Sequence, residues 1–153
     1  DDEAITVKGF GSRGCGCDTT MPAEHKFVKY WRYIATLHNT AMRERGFWKS
    51  REDIVAACRA LGGAGLADAA LAAVDGQAIA LMGTEFAEVI EGLRHGNPAD
   101  TDLPEFTNAE VELADAVLRI MDYSEGRGWR VAEALVKKIT VNAVRASMHG
   151  KKF

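Results

Sequence analysis

Glu85, Glu88, Glu112 and Asp115 are the residues of this 153-residue chain best suited to chemistry, because they form two carboxylate pairs with a spacing of three. They stand in LMGTEFAEVIEGLRHG and NAEVELADAVLRIMD, two otherwise apolar stretches with helical periodicity. On a helix that spacing puts both members of a pair on one face, about one turn apart. Val111, Leu113, Ala114, Ala116, Val117, Leu118, Ile120 and Met121 surround the second pair, which predicts a helix buried in a bundle and four acids converging in its core. Two unit charges about 4 Å apart repel by roughly 4 kcal/mol at an effective dielectric of 20, and desolvation adds to that cost. A cation is therefore expected among them. The donors are all oxygens, with no His or Cys, which selects a hard ion: Mg2+, with Mn2+ able to substitute. One E-x-x-E pair alone is most often ordinary surface charge; two pairs on two apolar helices favour a metal site.

The elements that must position these acids follow from caps and periodicity. A helix is predicted over 23 to 45, where Phe27, Trp31, Ile34, His38 and Met42 form a stripe and Gly46 is a stop. Ser50 with Asp53 resembles a capping box opening a short helix to about Leu61, ended by Gly62 and Gly63. An Ala-rich helix over 65 to 74 is expected to break at Gly76 before the helix of 77 to 94, which His95, Gly96, Asn97 and Pro98 end. Thr107 with Glu110 is a second capping box, opening a helix to about Glu125. A last helix is predicted over 130 to 146. The expected class is therefore all-α: an irregular Gly-rich arm over 1 to 22, a helical domain over 23 to 148 and a basic tail over 149 to 153.

Within the arm, Gly9, Gly11 and Gly14 match G-x-G-x-x-G in form, but no helix opens at the glycines and no βαβ pattern follows, so a folded-over arm is the better reading. Cys15 and Cys17 lack a second Cys or His cluster for zinc. The composition is 47% hydrophobic with a net charge of −3, which argues against a nucleic-acid polymer as partner. No unbroken run approaches the ~18 apolar residues of a membrane span, so no membrane association is expected. Three cysteines do not make a disulfide framework, and the expected compartment is the reducing cytoplasm.

The last helix carries a second chemistry. Lys138, Asn142 and Arg145 recur at helical spacing and line one face with donors, followed by Lys151 and Lys152. Arg and Lys suit phosphate, and a cationic face beside a carboxylate-bound divalent ion is what a metal nucleotide needs. Trp48, with His38 and Trp31 behind it, is the stacking candidate for a base. Arg119 and Asp122 lie seven residues after Glu112 and Asp115, so both share the acidic face as supporting residues.

The runs T-E-F-A-E-V-I-E-G-L-R-H-G-N-P, E-L-A-D-A-V-L-R-I-M-D and K-x-x-x-N-x-x-R-x-x-x-H-G-K-K-F resemble, in order, the motifs of the MazG-like all-α nucleoside triphosphate pyrophosphohydrolases, with G-F-W at 46 to 48 as a weaker match. The pattern there is E-E-x-x-E, a variable gap, then E-x-x-D; here 23 residues separate Glu88 from Glu112, and Thr84 stands where the pattern has its first Glu. The resemblance implies a helical bundle whose homodimer, or dimer of dimers, completes the site. It implies cleavage of an NTP or dNTP between the α and β phosphates to give the monophosphate and pyrophosphate. Glu85, Glu88, Glu112 and Asp115 would hold Mg2+, with Glu85 or Glu88 as catalytic base. Lys138, Asn142, Arg145, Lys151 and Lys152 would bind phosphate. Two other classes compete. A di-iron carboxylate protein needs Glu-x-x-His, which neither pair supplies, and a non-catalytic nucleotide-binding module differs from an enzyme only in turnover.

Overall fold

The computed structural model describes residues 22–144, and within them the chain forms four helices with no strand: α1 Ala23–Glu44, α2 Lys49–Arg94, α3 Asn108–Gly126 and α4 Val131–Ala143. The all-α architecture expected from periodicity is thus what the chain adopts. Residues 1–21 of the Gly-rich arm, Arg145 in the predicted last helix, and the basic tail with Lys151 and Lys152 lie outside the described residues. α3 is the hub: α1 and α2 both pack along it, and α4 rests on α1.

Local chemistry sets most helix ends. After α1 the Gly46 N–H donates to the Arg43 carbonyl and Phe47 N–H to Met42, with Gly46 at φ 85°, a backbone region that only glycine enters without strain. The same pair of bonds closes α2 at Gly96 and Asn97 and α3 at Gly128 and Trp129. Thr107 opens α3 with the expected capping box, its N–H and hydroxyl each donating to the Glu110 carboxylate at 2.7 Å. These bonds hold the Glu110 carboxyl below its ordinary range.

Three expectations need correction. The Ser50–Asp53 capping box does not form: α2 starts at Lys49, no side chain caps it, and Asp53 instead pairs with Lys49 at 2.6 Å. The lysine, one turn back on the same face, outcompetes a neutral hydroxyl for the carboxylate. Gly63 does interrupt α2, at φ 70° and ψ −158°, but Gly76 does not, and the helix runs on from there to Arg94. Glycine lowers helix propensity by ~1 kcal/mol, which flanking Ala-rich turns offset unless another signal joins it. Thirdly, α3 is not wrapped all round: Leu113 and Val117 are exposed, and so are Phe27 and Ile34 of the α1 stripe. Among the described residues, the four helices leave those faces exposed.

Among the described residues, α2 is the one helix whose length and apolar content bear on the question of a membrane. By length and composition it is apolar enough to cross one, with an 18-residue window of mean hydropathy 1.4, of which 6% is buried inside the fold. Ala and scattered Leu, Ile and Met raise the mean without making an unbroken apolar run.

The core is small and aromatic. Trp48, only 5% exposed, stacks on Tyr123 with ring centroids 6.2 Å apart, beside Ala78, Met42 and Met82. The Trp48 indole N–H donates to Asp122 at 3.0 Å, and Asn39 donates to the same carboxylate at 2.7 Å while accepting from Arg43 at 2.9 Å. This network ties α1, the start of α2 and α3 at one level. Charge-assisted bonds of this kind satisfy groups that would be costly to bury unpaired.

Candidate metal centre

The α2–α3 turn fixes which acids meet. Asn97, at φ 51°, accepts the Ala109 N–H on its side-chain oxygen at 3.0 Å, and Asn108 N–H donates to the Pro98 carbonyl at 2.9 Å. Asp100 ties the loop further, accepting the N–H groups of Asp102 and Leu103, both at 2.9 Å. Gly92 is thereby set against Asn108, so closely that a Cβ on Gly92 would lie 3.1 Å from the Asn108 Cβ. From that crossing the helices run antiparallel, and counting back along α2 and forward along α3 by equal steps sets Glu88 opposite Glu112 and Glu85 opposite Asp115. Each acid of one pair thus meets one of the other.

Glu85, Glu112 and Asp115 each place a carboxylate oxygen within 4.8 Å of the others, a set able to hold a metal ion. Glu88 joins them through Glu112, whose carboxyl is raised above its ordinary range by burial first and then by the charges of Glu88, Asp115 and Glu85. Glu85 is buried, Glu112 half-buried, and Glu88 and Asp115 exposed. The expected convergence in a core is therefore corrected to a convergence at the core's edge, since among the described residues no helix covers the outer flank of α3. The only cation paired with the cluster among the described residues is Arg119, whose Nε meets Glu85 Oε1 at 2.5 Å. Four carboxylates against one guanidinium leave a net negative cluster whose possible ligands are all oxygens. That donor chemistry fits a hard divalent ion.

A pH dependence follows with a definite sign. Glu112 keeps its proton in the folded chain at pH values where the unfolded chain has released it. Its contribution to stability is full below about pH 4.5 and is lost as pH rises through the higher folded value. Glu110 and Glu133, both lowered, act oppositely, but lose their contribution only below the ordinary carboxylate range. The melting temperature of metal-free protein should therefore rise on acidification from neutrality toward pH ~5. Saturating Mg2+ or the substitution Glu112→Gln should flatten that slope. A melting temperature that is level or falls on acidification would contradict the clustering.

The remaining sequence candidates separate by position. Arg119 lies in the cluster. Asp122 does not: its carboxylate is engaged by Trp48 and Asn39, so it anchors the core. Trp48 is buried, with Tyr123 stacked on it and the guanidinium groups of Arg43 and Arg51 at 4.5 and 4.8 Å from its ring centroid. Trp31 and His38 on α1 are half-buried, and Trp31 lines a cavity of about 270 Å3 with Trp129. Lys138 and Asn142 are exposed on α4, which packs on α1, and no contact among the described residues sets them beside the acids. Arg145, Lys151 and Lys152 lie outside the described residues.

Sequence reasoning missed Asn39, Asp75 and Arg127. Asp75 and Arg127 pair at 3.3 Å, across from Tyr123. Burial first, then the nearby Asp75, pushes the Tyr123 hydroxyl up to about 12. That hydroxyl feels the Asp75 charge yet makes no hydrogen bond of ordinary geometry, so proximity rather than a formed bond links the two. A buried-side Asn in α1 was the one legible signal among these. Comparison of the chain with protein-family models, curated proteins and solved structures returns no match.

Proposed function

We propose that this chain is a MazG-like, divalent-metal-dependent pyrophosphohydrolase that cleaves an NTP or dNTP to the monophosphate and pyrophosphate. The observation that carries the reading is the meeting of Glu85, Glu88, Glu112 and Asp115 across an antiparallel helix pair, in the order the MazG-like motifs have. A bound Mg2+ would polarise the phosphoryl oxygens and acidify the attacking water. Exposed Glu88 is the better placed of the two base candidates, because Glu85 is committed to Arg119. The free edge of the Arg119 guanidinium, half exposed beside the cluster, is available to a phosphate oxygen. For the base, Trp31 and His38 keep the access that stacking needs, whereas Trp48 is buried against Tyr123, Arg43 and Arg51.

A second copy belongs to this proposal. Ile79, Phe86, Ile90 and Leu93 recur on one face of α2 and are each about half exposed, as are Phe27, Ile34 and Leu37 on α1. Such faces are costly to leave in water at about 25 cal/mol per Å2. Lys138 and Asn142, exposed on α4, would then approach the acids from the partner subunit.

The test is a panel of canonical NTPs and dNTPs with Mg2+ or Mn2+, the products separated by ion exchange. Monophosphate and pyrophosphate are the expected products, with none formed in chelator. Diphosphate with orthophosphate would place the cleaved bond elsewhere. No turnover across the panel would favour a nucleotide-binding module without catalysis.

A further inference from the structure

A cavity of about 430 Å3 opens between the first half of α2 and the end of α3, away from the acids, and its wall is built from arginines. Its size falls in the range of about 300 to 1,000 Å3 common to small-molecule sites. Asp75 lies ten residues from Glu85 on the same helix, so the cavity sits about 15 Å along the axis from the candidate metal centre.

Charge is unbalanced there. Arg43 pairs with Glu52 and Arg127 with Asp75, but Arg51 and Arg59, two turns apart on one face of α2, meet no carboxylate among the described residues. Arg51 is held in place rather than free in solvent: its guanidinium lies 4.8 Å from the Trp48 ring centroid and 5.4 Å from that of Tyr123. Stacking on two rings leaves the edge of the fork, with its N–H donors, open to an anion. Val55 and Leu71 make an apolar stretch of wall beside it.

The Asp75 and Arg127 side chains carry a second sign. Asp75 and Arg127 line the cavity, and among the described residues Asp75 Oδ1 and Arg127 Nε are buried without a hydrogen-bond partner. Such orphaned groups in the wall of a cavity call for an occupant. An acceptor and a donor in one wall, together with the guanidinium groups of Arg51 and Arg59 that meet no carboxylate among the described residues, fit a molecule that has hydroxyl groups on its body and a phosphate at its tip.

We infer that this cavity is a binding site for a phosphate monoester with a hydroxyl-bearing body, of the size of a sugar phosphate or nucleoside monophosphate, gripped by Arg51 and Arg59. The inference does not rest on the proposed hydrolysis, although a product of that reaction belongs to the same chemical class.

Calorimetric titration of the full chain in chelator, at low salt, tests it while keeping any metal-dependent site silent. Ribose 5-phosphate and adenosine monophosphate should bind, adenosine should not, and inorganic phosphate should bind more weakly than either ester. The double substitution Arg51→Gln, Arg59→Gln should weaken ester binding by about tenfold or more. Glu112→Gln should leave it unchanged, which separates this site from the acids. Helical content by circular dichroism checks the double variant, and Arg59→Gln alone, at an exposed position where the side chain pairs with no carboxylate among the described residues, serves as the second variant with a smaller loss in the same direction. Absence of binding by the wild-type chain at millimolar ligand, equal affinity in the double variant, or orthophosphate binding as tightly as the esters would each overturn the inference.

Discussion

Glu112→Gln should abolish metal-dependent pyrophosphate release while making the metal-free protein more stable. Glutamine keeps the size of the side chain and removes the charge that Glu88, Asp115 and Glu85 repel. If Glu112 is a ligand, turnover should fall more than about hundredfold, beyond the ~10- to 100-fold that loss of an outer-shell partner costs a metal site. At neutral pH the melting temperature in chelator should rise, since the same substitution relieves both repulsion and the desolvation of a half-buried carboxylate. The opposite responses of activity and stability are the signature of the site, because a merely structural carboxylate would lose both together. Glu88→Gln should follow the same pattern with a smaller gain in stability, being more exposed. Near-normal turnover in either variant removes that residue from the metal's ligands. A lower melting temperature in chelator for Glu112→Gln would show its charge to be satisfied already, and the need for a cation would vanish.

Gly126→Ala is expected to be the most damaging small substitution in the described chain. A Cβ at that position would lie 2.1 Å from Trp48 Cη2 and 2.4 Å from Cζ2, inside any permissible contact with a rigid ring. Trp48 has little room to yield: Asp122 holds its N–H at 3.0 Å, Tyr123 stacks on it, and Arg43 and Arg51 lie within 5 Å of the ring centroid. Overpacking of a tight core costs about 1 to 3 kcal/mol, and this rigid case belongs at or above the upper end. For a chain of this length about 3 kcal/mol corresponds to a fall in melting temperature of roughly 6 to 12 °C. Gly76→Ala is the matched control, since nothing lies within 4 Å of its would-be Cβ and the position is inside the helix. It should gain about 0.5 to 1 kcal/mol, as alanine does over glycine in an exposed helix interior. Denaturant unfolding of both variants distinguishes the outcomes. A neutral Gly126→Ala would mean that Trp48 is not packed in this way, and a destabilising Gly76→Ala would restore a break there.

What the amino-acid sequence determined by itself is what local chemistry decides. The stop at Gly46, the interruption at Gly63 and the Thr107–Glu110 cap were readable because each depends on the φ of one residue or on groups three positions apart. The grouping of Glu85 with Glu88, and of Glu112 with Asp115, was readable for the same reason: helical geometry alone puts residues three apart on one face. The tertiary structure decided how those pairs meet. The Asn97–Asn108 connection sets the antiparallel register, and a shift of one turn would have carried Glu88 past Glu112. It also turned Trp48 inward, because an indole beside a glycine and a carboxylate can bury its ring while satisfying its N–H. Gly76 and Ser50 were misread where a weak local preference met a stronger neighbour: the Ala-rich helix in one case, the Lys49–Asp53 pair in the other. The apolar stripes of α1 and α2 were legible as stripes, but how much of each is buried depends on which helices lie across it, and periodicity along one chain carries no information about the face of another.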